Sequence, residues 1–127
     1  MTAPIVVWFK RDLRVTDHEA LVSAVKEGPI IPLYVFEPEY WTNDFTSGRQ
    51  WSFLKDSLLS LDLQLSQMGQ PLWTEIGPVE EVLERLYQRF QFQRMVSHQE
   101  TGPGWTYQRD LKVKRWCEAH LVKWSQY

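Results

Sequence analysis

Ile5-Val6-Val7-Trp8-Phe9, followed without a break by Lys10-Arg11-Asp12-Leu13-Arg14, is the stretch whose reading decides the fold. A run of β-branched and aromatic residues with no polar alternation reads as a strand buried on both faces, the pattern of a sheet covered by helices on each side. The charged segment after Phe9 marks where that strand leaves the core. Thr16-Asp17-His18-Glu19 then has capping-box spacing, in which a Thr oxygen and a Glu carboxylate each satisfy a free backbone N–H at a helix start. Ala20, Leu21, Ala24 and Val25 give that helix one apolar face, and Gly28-Pro29 ends it.

The alternation continues outward. Ile30 to Phe36 reads as a second strand, with Pro32 tolerable only near its beginning or where no ladder bond is needed. Residues 39 to 48 read as a loop. From Arg49 a long helix shows Trp51, Leu54, Leu58, Leu61, Leu65 and Met68 at spacings of three and four before Gly69. Leu72 to Ile76 is a third strand, and Gly77-Pro78 starts a helix carrying Val79, Val82, Leu83, Leu86 and Phe90. Arg94 to Ser97 is a fourth strand, followed by the loop Thr101-Gly102-Pro103-Gly104. A weaker helix runs from Trp105 to about His120, with Val113, Trp116 and Cys117 on one side, and Leu121 to Trp124 is a fifth strand. Strands separated by helices imply right-handed crossovers. The expected fold is α/β, a three-layer Rossmann-like sandwich with a five-stranded parallel sheet covered by helices on both faces. On the most periodic helix, Leu58→Ala is expected to cost about 2 to 5 kcal/mol as a core cavity.

With 127 residues, 43% of them hydrophobic, the chain has the material for one domain with a sizeable core. A net charge of −2 argues against a strongly basic nucleic-acid binder, so any DNA contact is expected to be local or to come from elsewhere. Cys117 stands alone, which excludes an internal disulfide and a multi-Cys zinc site and fits a reducing compartment. The N-terminal apolar run carries its charge on the wrong side for a signal peptide and is too short to span a bilayer. A cytoplasmic protein without membrane attachment is expected. His18, His98 and His120 are scattered over different elements, so no metal site is expected. There is no P-loop, no Gly-x-Gly-x-x-Gly after the first strand and no Gly-x-Ser-x-Gly elbow, which removes the commonest phosphate cradles and nucleophile of this fold class. Seven Trp must pack in a core or at a surface that something else covers; a docking face left open is expected to make the domain self-associate.

In open parallel sheets ligands bind beyond the carboxyl ends of the strands, near the reversal of strand order. The segments after strands one, two and four are therefore the candidates: Lys10 to Arg14, Phe36-Glu37-Pro38, and His98-Gln99-Glu100-Thr101-Gly102. For Arg11, Asp12 and Arg14, and for Arg109 and Asp110, internal salt bridges are the favoured reading, because alternating opposite charges satisfy one another first.

Four segments carry a resemblance on one frame. They are Trp8 to Leu21 with its Arg11-Asp12-Leu13-Arg14, Ile31 to Pro38 with its acidic-Pro ending, Arg49-x-x-x-Phe53-Leu54-x-x-Ser57-Leu58-x-x-Leu61, and His98 to Gly102 followed by Trp105-Thr106-Tyr107-x-Arg109-Asp110-x-x-Val113. In order and in kind they resemble the N-terminal α/β domain of the photolyase and cryptochrome family; His18 stands where that family usually has Asn. Members are several times longer, so the resemblance implies that residues 1 to 127 correspond to that domain alone, without the helical FAD-binding domain. It implies an antenna-chromophore-binding domain of a light-driven DNA photolyase, a lyase that repairs pyrimidine dimers. The chromophore would be a folate, a deazaflavin or a flavin, and FAD would sit only in the missing domain. That domain would be the partner of this chain and make most of the DNA contact, so this chain alone is expected to be inactive. The Trp residues 41, 51, 73, 105, 116 and 124 then read as core or interface packing. The matching positions for the chromophore are Phe36, Glu37, Pro38, Arg49, Phe53, His98 and Glu100: apolar walls for a planar ring, carboxylates for N–H groups, a cation for an anionic tail. The same resemblance also fits a blue-light signalling cryptochrome, or a scaffold with an empty antenna site.

Overall fold

The apolar run Ile5–Phe9 forms β1, buried along its whole length, because it takes the central place in a sheet that helices cover on both sides. The computed structural model describes residues 3–41, 48–100 and 104–127, except for the side chains of residues 41 and 48–51. The elements that follow β1 are α1 (Glu19–Glu27), β2 (Ile30–Phe36), α2 (Pro38–Trp41), α3 (Gly48–Gln67), β3 (Trp73–Ile76), α4 (Val79–Phe90), β4 (Arg94–Ser97), α5 (Gly104–Ala119) and β5 (Lys123–Gln126). All pairings are parallel and the sheet order is β3-β2-β1-β4-β5. The chain winds outward from β1 to β3, then returns to build β4 and β5 on the other side. Strand order thus reverses between β1 and β4.

Alternation along β1 divides the core between two layers. Val6 and Trp8 pack with Leu83, Leu86, Phe92 and Val113, under α4 and α5. Ile5, Val7 and Phe9 pack with Leu21, Ala24, Leu61 and Leu65, under α1 and α3. The expected three-layer α/β sandwich with a five-stranded parallel sheet is the observed architecture. Pro32 lies near the start of β2, one residue before pairing with β3 begins at Leu33, where a missing N–H is tolerated.

Four local expectations are corrected. The cap of α1 is His18, whose Nδ1 accepts from the Leu21 N–H; Asp17 takes a positive φ of 51°, and the helix starts two residues too late for Thr16 to cap. Pro38–Trp41 forms a short helix where a loop was expected; residues 42–47 and 101–103 of the expected loops lie outside the described residues. The fifth strand starts at Lys123, because α5 ends in a Schellman closure. There Leu121 sits at φ 58°, with Val122 N–H donating to Cys117 C=O (2.8 Å) and Leu121 N–H to Glu118 C=O (3.3 Å). On α3, Leu61 and Leu65 are sealed, whereas Leu58 is half-buried. Leu58→Ala is therefore expected to cost about 1 kcal/mol, since it leaves no closed cavity. Urea denaturation reads this, and a loss above about 2 kcal/mol would show that Leu58 is sealed after all.

Candidate functional site

The strand ends at the reversal point converge as the sheet geometry requires. Phe9 hands over to Lys10 and Arg11, Phe36 to Glu37, and Ser97 to His98 and Glu100, while α5 brings Arg109 across from the far side of the sheet. A cavity of about 470 Å³ opens there, with Trp8, Lys10, Glu37, Tyr40, Phe53 and Arg109 among its lining. A second space of about 650 Å³ adjoins it through Glu37 and Arg109 and extends past Pro38 and Trp105 towards the start of α4.

Arg109 organises the site. It is buried, 6% exposed, and its guanidinium serves three carboxylates. Nη1 donates to Glu37 Oε2 at 2.7 Å, Nε to Asp110 Oδ1 at 2.8 Å, and Nη2 to Glu100 Oε1. Its flat face lies 4.9 Å from the Trp8 ring centre and 5.7 Å from that of Trp105, which suits a weakly hydrated cation. Lys10, also buried, reaches Asp110 at 3.3 Å and lies over Trp8 at 4.4 Å; burial lowers its pKa against the pull of Asp110. Arg11 completes the set, pairing with Glu100 at 2.9 Å and donating to the Tyr40 hydroxyl at 3.1 Å.

Glu37 is the exception within this network. Its Oε1 is buried and has no hydrogen-bond partner among the described residues. Burial pushes its pKa up to about 7; Arg109 opposes that shift, while Glu100 and Asp110 add to it. Near neutrality Glu37 can therefore offer either an acceptor or an O–H donor to something in the cavity.

Of the residues expected here from sequence, Glu37, Phe53 and Glu100 line the first cavity, and Glu37 and Pro38 the second. Phe36 ends β2 and lines neither. The Arg49 side chain lies outside the described residues, and the cation found beside Glu37 is Arg109. His98 turns away from the cavity: its Nδ1 is 2.9 Å from Asp12 Oδ2, which also meets His18 Nε2 at 2.6 Å. Internal salt bridges form, Arg109 with Asp110 and Arg11 with Glu100, but Arg11, Asp12 and Arg14 do not pair with one another. Asp12 faces the two His rings, and Arg14 donates to the carbonyls of Thr16 and Asp17. Lys10 was named only as part of the candidate segment after the first strand, and Tyr40 and Arg109 were missed as lining residues. The pairing of Trp105 with Arg109, one helical turn apart, was the available signal. Cys117 is buried against α4 and its thiol is pushed up to about 12, mainly by burial, so it offers no thiolate. Among the described residues no helix is long and apolar enough to cross a membrane.

Residues 5–127 match the family model described as DNA photolyase. Over 67% of its length the chain is 37% identical to a deoxyribodipyrimidine photo-lyase of Agrobacterium fabrum, covering 17% of that protein. Over 88% of its length it is 32% identical to a cryptochrome DASH of Gloeobacter violaceus, covering 24% of it. Among solved structures, an archaeal photolyase from Sulfolobus tokodaii with two FAD molecules, described as implying a novel light-harvesting cofactor, superposes at a TM-score of 0.87. It shares 28% identity, with 98% of this chain and 29% of that one covered. The chain thus spans under a third of the length of these relatives. A family match over nearly all its residues, on a parallel sheet of the same shape, places the chain in the DNA photolyase family, which also takes in cryptochromes, as its N-terminal α/β domain.

Proposed function

We propose that the cavity at the carboxyl edge of the sheet holds an antenna chromophore of the folate, deazaflavin or flavin class, in a protein whose whole chain is a light-driven DNA photolyase. The observation that carries this reading is Oε1 of Glu37, which has no partner among the described residues and is buried in a cavity with aromatic walls and cationic sides. A buried polar atom without a partner is costly, and a ligand N–H or C=O on a planar ring would satisfy it. Trp8 and Phe53 supply apolar wall, Tyr40 a hydroxyl, and Lys10 and Arg109 positive charge at the cavity lining. The chromophore, when bound, would supply the light absorption; the residues here would bind it, orient it and exclude water.

A second reading, the same domain in a cryptochrome-like photoreceptor, is favoured by the similarity to the cryptochrome DASH of Gloeobacter violaceus. Dimer repair by the whole protein under blue light separates the two. FAD and most of the DNA contact are assigned to chain beyond these residues.

Titrating the purified protein with a reduced folate, a deazaflavin and FMN, and following absorbance and fluorescence, tests the antenna reading. One of the three is expected to bind, and Glu37→Leu is expected to weaken it about tenfold or more, the usual worth of a hydrogen bond to an ionisable group. Binding of none of them, or undiminished binding by the variant, would overturn it.

A further inference from the structure

Outside the cavity, three titratable side chains converge on one point. Asp12 lies in the loop after β1, His18 caps α1, and His98 follows β4; their nearest ligand atoms lie within 4.8 Å of one another. The two imidazoles stack, with ring centres 4.2 Å apart and planes 24° from parallel.

The second nitrogen of each ring reveals the purpose of the cluster. His18 Nδ1 accepts from the Leu21 backbone N–H at 3.0 Å, and His98 Nε2 accepts from the Ala20 backbone N–H at 3.3 Å. An imidazole nitrogen that accepts carries no proton, so the neutral rings must be protonated on His18 Nε2 and His98 Nδ1. Both of these nitrogens lie against the same oxygen, Asp12 Oδ2, at 2.6 Å and 2.9 Å, as charge contacts whose angles fall short of an aligned hydrogen bond. The other oxygen of Asp12 accepts from the Lys10 backbone N–H at 2.9 Å. This polarity is wrong for a metal centre, in which a ligating histidine donates its second N–H outward. It is right for fastening: two free N–H groups at the start of a helix are satisfied by one local and one distant imidazole.

We propose that Asp12, His18 and His98 form a proton-operated latch, which holds the first turn of α1 to the end of β4 while both rings are neutral and releases it in acid. A proton added to either ring must go on the nitrogen that faces a backbone N–H, at the positive end of the α1 dipole. It breaks a cap and sets two donors against each other. A second charge would lie against the first across the stack, with one carboxylate for both.

The surroundings supply little else to absorb that charge. From β1 the neighbour of His18 is the Phe9 ring, 4.7 Å away between centres, and α3 contributes the apolar Leu61 and Leu65 to this layer. In the loop before α1, Arg14 adds positive charge and is tied to Thr16 and Asp17 carbonyls; Asp17 and Glu19 are exposed. The pKa of His98 is lowered by burial, then by His18, against Asp12, with Arg14 adding to the fall. Asp12 is held below its usual value: burial acts the other way and is outweighed by the His18 contact and the Lys10 N–H. A histidine with a lowered folded pKa contributes stability above its ordinary value of 6.5, and loses it as pH falls below that value. The Asp12 loss falls below 3.8, in a separate window. Opening would free the segment from Lys10 to Arg14, which lines the cavity. The latch stands whether or not that cavity holds a chromophore.

Histidine NMR titration together with amide exchange on the whole chain tests this. At about pH 7.5 the protons are expected on His18 Nε2 and His98 Nδ1. Lowering the pH to about 5 is expected to reduce protection of Ala20 and Leu21 about tenfold relative to α4 amides, after correction for intrinsic rates. In His18→Asn with His98→Asn, where an amide oxygen can still cap at residue 18, that pH-dependent loss is expected to vanish. The opposite tautomers, protection unchanged by acid, or the same acid loss in the double variant would each overturn the latch.

Discussion

Arg109→Met is expected to destabilise the domain by about 3 to 5 kcal/mol near neutral pH, the cost of stripping a buried charge network of its central partner. Methionine fills much of the same space, so the loss is electrostatic more than a matter of packing. Among the described residues, Asp110 would then keep Lys10, Glu100 would keep Arg11 and Glu37 would keep no ion pair, and Arg11 is more than half exposed and screened by solvent. The deficit should grow as pH rises through the range where Glu37 ionises, since each added negative charge has less to meet it. It should shrink in acid. Arg109→Lys is expected to recover part of the loss, because a point charge reaches one or two of the carboxylates but not all three. Urea denaturation across pH reads both variants; a cost below about 1 kcal/mol at neutral pH would mean that the ion pairs merely decorate the site.

How much of this was legible before the fold was known depends on the range of the interaction. Ile5–Phe9 and Ile30–Phe36 could be bounded from sequence, because a strand buried on both faces needs an unbroken apolar run. The ends of elements were less legible. A Schellman closure with Leu121 in place of the usual glycine is invisible to a rule that looks for glycine. His18 is not a common cap, so the Thr16 to Glu19 spacing outweighed it. The location of the site was readable because sheet topology dictates it. Its wiring was legible only in part: internal salt bridges were expected at Arg109 and Asp110, but nothing local pointed to Glu37, 72 positions from Arg109. The same holds for Ala20 and His98, 78 positions apart, whose meeting depends on β4 lying next to β1.

Glu37→Gln is expected to stabilise the domain above pH 7, a gain that comes from removing a charge. Glutamine keeps a carbonyl for Arg109 to donate to and is neutral at every pH, so it mimics the protonated glutamic acid. With the Glu37 pKa raised from 4.5 to about 7, the folded chain holds its proton longer than the unfolded one. That contribution is fully present below pH 4.5 and is lost as pH rises towards 7. At about 1.4 kcal/mol per unit, the native protein above pH 7 forgoes up to ~3 kcal/mol that the variant keeps; near pH 4 the two should match. His98 acts with the opposite sign, its stability falling as pH drops below 6.5. In the native protein the two trends run against each other below pH 6.5, so its pH profile is shallower there than the Glu37 trend alone would give. The variant should uncover the histidine limb as a steady loss of stability in acid. Urea midpoints measured for both proteins from about pH 4 to about pH 9 decide the matter. If the variant is no more stable than the native protein at alkaline pH, Glu37 is already comfortably ionised. Its Oε1 would then need no ligand, and a chromophore in this cavity would lose its strongest support.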